Sequence, residues 1–263
     1  MIIPQKYKES IARRAARRLF RKDANIAPTK PLVSFTFDDV PVSAATRGAA
    51  CLERHNARGT FYIAGGLANQ LTDYDALCAN STHIQALYEH GHEIGCHTYA
   101  HEPLKNVSRK ALIADLNKNA DMLSDIIPGA RYENFAYPYN APTLSAKREL
   151  QRRYRSARGG IPALNLGKTD LVLLNSVPLQ KAPVDGKTSS QWIETAVAQS
   201  AWLIFFTHDI DASPSAYGTT PDILEHAITT ALKMGCEIHT VSSALDRSGI
   251  PALGHQNLEA TTN

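Results

Sequence analysis

Leu32-Val33-Ser34-Phe35-Thr36-Phe37-Asp38-Asp39 is a short run of apolar and β-branched residues that stops on two carboxylates. Bounded by Pro31 on one side and the acids on the other, residues 32–37 read as a strand. Working outward, similar short runs occur at 60–64, 93–96, 134–137, 155–158, 171–174, 202–207 and 237–241, each bounded by Gly, Pro or polar residues. Helical patterns lie between them. The clearest covers 109–127, with Ser108 as its N-cap, Leu112, Leu116, Leu123 and Ile127 on one side, and Pro128-Gly129 as its stop. Others follow Val42, Ser81, Thr143, Ser189 and Pro221. Alternation of this kind predicts an α/β protein with a parallel sheet covered by helices, and a closed barrel fits better than a doubly wound sheet. No G-x-G-x-x-G follows the first strand, and Gly65-Gly66 and Gly159-Gly160 lack the Lys-Ser/Thr ending of a phosphate loop.

The chain has 263 residues, 43% of them hydrophobic and 20% charged, enough for one large core and a single domain. Its net charge of +3 is unevenly spread. Residues 1–22 carry eight Lys or Arg against Glu9 alone, whereas residues 23–263 carry 20 bases against 24 acids. An acidic body is a poor match for phosphate backbones, so no nucleic-acid partner is expected. In the arm, Ile11, Ala12, Ala15, Ala16, Leu19 and Phe20 recur at helical spacing opposite five arginines, the pattern of a basic amphipathic helix. Such a helix either caps the domain or makes peripheral contact with an anionic membrane through residues 1–22. With no apolar segment of secretory or membrane-spanning length, the expectation is a cytoplasmic protein. Cys51, Cys78, Cys96 and Cys236 form no C-x-x-C pair and read as reduced, structural thiols. The expected organisation is a basic arm over 1–30, a barrel over 31–245 and a polar tail over 246–263.

Chemistry is suggested by the conjunction of Asp38-Asp39 with His97-Thr98-Tyr99-Ala100-His101. One carboxylate and two histidines four apart supply a zinc-type ligand set, and the other carboxylate is left as a base. A third segment, Ile204-Phe205-Phe206-Thr207-His208, ends the most hydrophobic predicted strand on a histidine. In a barrel, Asp38, Asp39, His97, Tyr139, Arg158 and His208 all fall at the carboxyl ends of strands, where such folds carry their active sites.

These residues resemble the polysaccharide deacetylases that share the NodB homology domain, carbohydrate esterase family four. The resemblance runs from Pro31 to Leu245 through T-F-D-D at 36–39, H-T-Y-A-H at 97–101, F-A-Y-P-Y-N at 135–140 and F-T-H at 206–208, in the family's order. It implies a distorted (β/α)7-type barrel and removal of an N-acetyl group from an N-acetylated sugar. By the same resemblance Asp39, His97 and His101 are metal ligands, Asp38 the general base, His208 the general acid, and the backbone N–H of Tyr139 an oxyanion donor. The implied ion is zinc, with cobalt or another divalent ion also suited to a mixed oxygen and nitrogen set.

Two departures stand out. Many family members place an arginine before the Pro-Tyr to pair with the catalytic aspartate, and here that position is Ala136; Arg158, followed by Gly159-Gly160, is the candidate replacement. The family's Asp-x-x-Asp-Trp segment is missing, and 174–179 stands in its place. Either Asp209 or Asp211 is a candidate to orient His208. The altered segments keep two alternatives open, a hydrolase of a non-sugar C–N bond and a catalytically silent sugar-binding module.

Overall fold

The computed structural model describes residues 15, 16 and 18–253. Most of the arm expected to form the basic helix, residues 1–14 and 17, lies outside the described residues, as does 254–263 of the tail. No helix among the described residues is long and apolar enough to cross a membrane.

The barrel is built around two parallel neighbours, β2 (Leu32–Asp38) and β9 (Trp202–Thr207), both buried along their whole length. Strands covered on both faces need apolar side chains on both, which is why neither shows clean alternation with surface residues. From β2 the sheet continues through β3 (Thr60–Ile63), β4 (Glu93–Cys96), β5 (Asn134–Ala136) and β6 (Ser156–Arg158), and on the far side β8 (Val177–Pro178) pairs with β9. A two-residue strand, β10 (Glu237–Ile238), adds to β2. The gap between β6 and β8 is bridged by one residue, Leu174, which pairs in parallel with Arg158 and leads directly into β8. A curled parallel sheet, seven strands in the order β6-β5-β4-β3-β2-β9-β8 with the short β10 alongside β2, thus forms the barrel wall.

Alternation along these strands sorts the side chains. Phe35, Phe37, Phe61, Leu203 and Phe205 join the main core under the helices, with Phe37 and Phe61 stacked at 4.6 Å. Ser34, Thr36, Tyr62 and Trp202 take the opposite face: Trp202 donates to Ser34 at 2.9 Å and Thr36 to the Phe205 carbonyl at 2.8 Å.

The helices are α1 (Ala49–Glu53), α2 (Ser81–Glu89), α3 (Arg109–Ile126), α4 (Leu144–Arg153), α5 (Ser189–Gln199), α6 (Pro221–Lys233) and α7 (Val241–Arg247). From α2 to α7 each begins on a polar cap, Asn80, Ser108, Thr143, Thr188, Thr220 and Thr240, whose side chain accepts an N–H from the first turn. The Ser108 cap and the span of α3 agree with the sequence pattern. Helix α7 was not expected, although Thr240 is an ordinary cap residue.

One predicted strand is corrected. The apolar run at 171–174 forms a 3-10 turn, Leu171–Leu173, capped by the Asp170 side chain, and only Leu174 takes part in strand pairing. Its side chains are buried because the turn walls two core clusters, so burial rather than pairing explains the hydrophobicity. Conversely, β1 (Asp23–Ile26) and β7 (Gly167–Asp170) form a separate antiparallel pair from polar sequences without apolar alternation.

Candidate active site

Sheet register carries the site residues to one end. Phe37 of β2 pairs with Thr207 of β9, so Asp38 and His208 leave neighbouring strands at the same level. Ile63 pairs with Cys96, placing His97 just beyond the end of β4, and Ala136 pairs with Arg158. The segment 97–101 then turns sharply rather than forming a helix: Asp115 of α3 accepts the N–H groups of Tyr99 and Ala100 at 2.7 and 2.9 Å, and Thr98 Oγ1 accepts that of His101 at 3.1 Å. The turn brings the second histidine back over the first, with ring centroids 4.9 Å apart.

Ligand-type atoms of Asp39, His97 and His101 all lie within 4.8 Å of one another. The Nε2 atoms of His97 and His101 face Asp39 Oδ1 at 3.5 and 3.1 Å. His97 Nδ1 contacts the Ala136 carbonyl at 2.8 Å, which requires that nitrogen to carry the proton and leaves Nε2 as a lone pair. Burial pushes the His97 pKa down to about 3 and lowers that of His101, so both rings are neutral near pH 7. An unprotonated His97 Nε2 cannot donate to a carboxylate, and Asp39 Oδ1 is buried without a hydrogen-bond partner. Acceptors converging on an orphaned oxygen fit a cation between them. Burial, reinforced by Asp38, raises the Asp39 pKa to about 6 despite His208.

Asp38 is held differently. Arg158 Nη2 donates to Asp38 Oδ1 at 2.6 Å and also to Oδ2, while its Nη1 reaches Asn140 and Ser176 at 3.2 and 3.3 Å. The guanidinium lies between the Tyr62 and Phe206 rings, 5.3 and 4.9 Å from their centroids. Burial alone would raise the Asp38 pKa, but Arg158, then His97 and His208, reverse this and hold it below its ordinary value. The arginine missing at Ala136 is therefore present one strand further along, on the residue paired with Ala136.

His208 faces Asp39 Oδ2 from the other side at 3.9 Å. Its Nδ1 is held by the Tyr217 carbonyl at 3.2 Å, and neither acid proposed to orient it does so. Asp209 binds Ser215 through its backbone N–H, at 2.8 Å, and its hydroxyl, and Asp211 pairs with Arg47. Tyr139 sits on a left-handed backbone, φ 55°, with its ring 4.8 Å from that of His101. Asp38, Asp39, His97, His101, Tyr139 and His208 line one cavity of about 290 Å³. Arg158 does not line it but touches three residues that do, Asp38, Asn140 and Phe206.

Residues from the loop at 70–79 were missed. Asp73 and Tyr74 line the same cavity, and the Tyr74 hydroxyl donates to Asp39 Oδ2 at 3.2 Å. Tyr217 was missed as well. No regular spacing links these loops to the motifs. Cys96, by contrast, faces α3, where Asn119 donates to its sulfur at 3.2 Å, and it takes no part in the site.

Fold and site together define a parallel α/β barrel with a candidate Asp-His-His metal centre at its carboxyl end, flanked by an arginine-paired carboxylate and a further histidine. Residues 25–154 match the model of the polysaccharide deacetylase family, and the chain is a relative of that family. A chitin deacetylase of Arthroderma benhamiae is 28% identical over 109 residues, 41% of this chain and 28% of that protein. A peptidoglycan-N-acetylglucosamine deacetylase of Listeria monocytogenes is 29% identical over 100 residues, 38% of this chain and 20% of that protein. The chain thus spans less than a third of the length of either relative. The structure of a family 4 acetyl xylan esterase from Clostridium thermocellum, in complex with a cobalt ion, superposes with a TM-score of 0.55 at 22% identity, over 84% of this chain and 93% of that one. The matched family segment contains three of the four motifs; Arg158 and His208 lie beyond it.

Proposed function

We propose that the protein is a metal-dependent hydrolase that removes the acetyl group from an N-acetylated sugar. The observation that carries this reading is the convergence of Asp38, Asp39, His97, His101 and His208 on one cavity, with an unpartnered Asp39 oxygen among neutral imidazoles. Asp39, His97 and His101 would hold a divalent ion, zinc or cobalt, whose role is to polarise the acetyl carbonyl and lower the pKa of water.

The chain's own groups supply the proton transfers. Asp38, kept ionised by Arg158, accepts the proton of the attacking water, and the arginine pairing fixes the carboxylate's orientation. A backbone N–H at Tyr139 supports the oxyanion, a contribution typically worth about 10²- to 10³-fold. His208, with Nδ1 committed to the Tyr217 carbonyl, presents Nε2 to the cavity and protonates the departing amine nitrogen. Water and the amide give acetate and a free amine. Without that protonation the amine is a poor leaving group, so general acid catalysis of roughly 10²- to 10⁴-fold belongs at this position.

The test is acetate release from chitooligosaccharides, glycan precursors and lipid-linked sugars by protein loaded with zinc or cobalt. Asp38→Asn is expected to abolish release and retain sugar binding. Absence of release from every substrate by protein with a filled site would refute the reading.

A further inference from the structure

Among the described residues, large hydrophobic side chains that remain exposed include Tyr139 and Tyr217, 55% and 58% accessible, and both line the cavity of the candidate site. They sit on opposite histidines. Tyr139 rests on His101, which faces Asp39 Oδ1, and Tyr217 packs 5.6 Å from the ring of His208, which faces Oδ2. A ring more than half exposed gains little from folding, yet Tyr217 is held in place at several points. Its carbonyl accepts from His208 Nδ1 at 3.2 Å and Thr207 Oγ1 at 3.4 Å, and its N–H donates to Ser215 Oγ at 3.2 Å. Ser215 is in turn fixed to the buried Asp209, and Thr219 donates to the Asp209 carbonyl at 2.9 Å. Gly218 packs so closely on Asp209 that a Cβ there would collide with it. The ring also meets Tyr74 at 5.5 Å, and Tyr74 donates to Asp39.

We infer that Tyr217 is a specificity-determining residue whose ring stacks against the face of a pyranose, opposite Tyr139, while its carbonyl positions the histidine beneath it. The inference rests on the sugar reading of the site and adds the residue that selects for it. A rigid amphipathic ring beside a polar cavity suits a ligand with one apolar face and a hydroxylated edge. A small acetylated compound without a ring would reach Asp38 and Asp39 and leave Tyr217 untouched. Recognition and acid placement share one residue, because the loop that offers the ring also holds His208.

The test compares wild type with Tyr217→Ala, Tyr217→Phe and Tyr217→Trp on tri-N-acetylchitotriose and on ethyl acetate, an acetyl ester without a ring. For the trisaccharide, the alanine variant is expected to raise KM about tenfold or more, the size of one lost aromatic contact, with the smaller share of the loss in kcat. The loss in kcat/KM is expected to be at least tenfold greater for the trisaccharide than for the ester, with Phe and Trp restoring most of it. Equal losses on both substrates, or an unchanged trisaccharide KM, would overturn the inference. A parallel titration of trisaccharide into Asp38→Asn, with and without Tyr217→Ala, separates it from the hydrolase reading. Weaker binding in the double variant upholds the platform even if wild type releases no acetate. Equal or absent binding in both rejects it even if wild type is active.

Discussion

At the lower end of the barrel the Glu93 carboxylate accepts four hydrogen bonds: from Thr60 and the Ser242 N–H at 2.9 Å, from Asn134 at 2.5 Å, and from the Ser242 hydroxyl at 2.9 Å. At the upper end Asp39 Oδ1 accepts none, and the buried Arg158 Nε and Thr219 Oγ1 are also without partners, against Arg155 Nε below. Left-handed backbone occurs at both ends, on Asn56 and Ser200 ahead of β3 and β9 below, but it is denser above. Asp39, Val40, Thr98, His101, Tyr139 and Asn140 all have positive φ at the upper end, including β-branched and aromatic types for which that region is costly. The contrast separates two uses of burial. Below, the start of α7 lies over Glu93, its Ser242 N–H and dipole meeting the carboxylate, so the half-buried charge is satisfied. Above, Asp38 is paired by Arg158 while Asp39 lies against His97 and His101 with one oxygen unpartnered, an arrangement suited to a cation at the carboxyl end of a barrel.

The largest effect should come from removing a ligand at the upper end. Asp39→Ala is expected to eliminate tight binding of a divalent ion and to lower turnover by at least about 10³-fold, beyond the 10- to 100-fold typical of an outer-shell partner. Calorimetric titration with zinc and acetate release check both parts. The same residue gives a stability test of opposite sign. A carboxyl whose folded pKa is raised from 3.8 to about 6 stabilises the metal-free fold below pH 3.8, and that contribution is lost as pH rises through about 6. Metal-free Asp39→Asn should therefore match wild type near pH 4 and exceed it near pH 7.5, by about 3 kcal/mol at about 1.4 kcal/mol per pH unit. Thermal melts in chelator at the two pH values decide this, and a gap independent of pH would show that Asp39 is not strained.

Arg158→Ala comes next. Leaving Asp38 buried and unpaired should cost about 3 to 5 kcal/mol, and Arg158→Lys should recover little because a lysine lacks the planar fork. With the guanidinium gone, burial dominates and the Asp38 pKa moves up, so the acidic limb of the pH–rate profile should shift to higher pH. An unshifted limb would remove Asp38 from the role of base.

What could be read in advance follows from how each feature is encoded. Asp38, Asp39, His97, Tyr139 and His208 were legible because strand ends and short motifs carry them, and a parallel barrel brings strand ends together whatever its loops do. Arg158 was legible only against the family pattern, since the resemblance places an arginine where this chain has Ala136, and Gly159-Gly160 marked a tight approach. Tyr74 and Tyr217 were not, because each acts from a loop whose path depends on tertiary contacts such as the Asp209 staple. The partner of His208 was beyond reach for a further reason: it is a backbone carbonyl, which no residue type announces. The turn at 171–174 misled because a buried wall and a buried strand share one composition, and the cluster around Glu93 escaped notice because its partners are spread from Thr60 to Ser242.

Changes at the lower end should affect stability without touching chemistry. Glu93→Gln keeps the shape but replaces an acceptor oxygen with a donor facing the donors of Thr60, Asn134 and Ser242, and should cost roughly 1 to 3 kcal/mol. Acetate release measured well below the melting temperature should keep the wild-type KM, and a change there would mean that the two ends are coupled.

Thr240→Ala refines that separation with the smallest perturbation. Thr240 accepts the Ser243 N–H at 3.2 Å and so starts α7, whose Ser242 supplies two of the four bonds to Glu93. Loss of an N-cap typically costs about 1 kcal/mol, and for a domain of this size that lowers the melting temperature by about 2 to 4 °C. If α7 only caps Glu93, the combined Glu93→Gln and Thr240→Ala variant should lose less than the sum of the two, because once the carboxylate is gone the helix start has less to satisfy. Strict additivity, measured by denaturant melts of all four proteins, would mean that the cap and the carboxylate act independently, and α7 would then be an ordinary packed helix rather than the partner of the Glu93 charge.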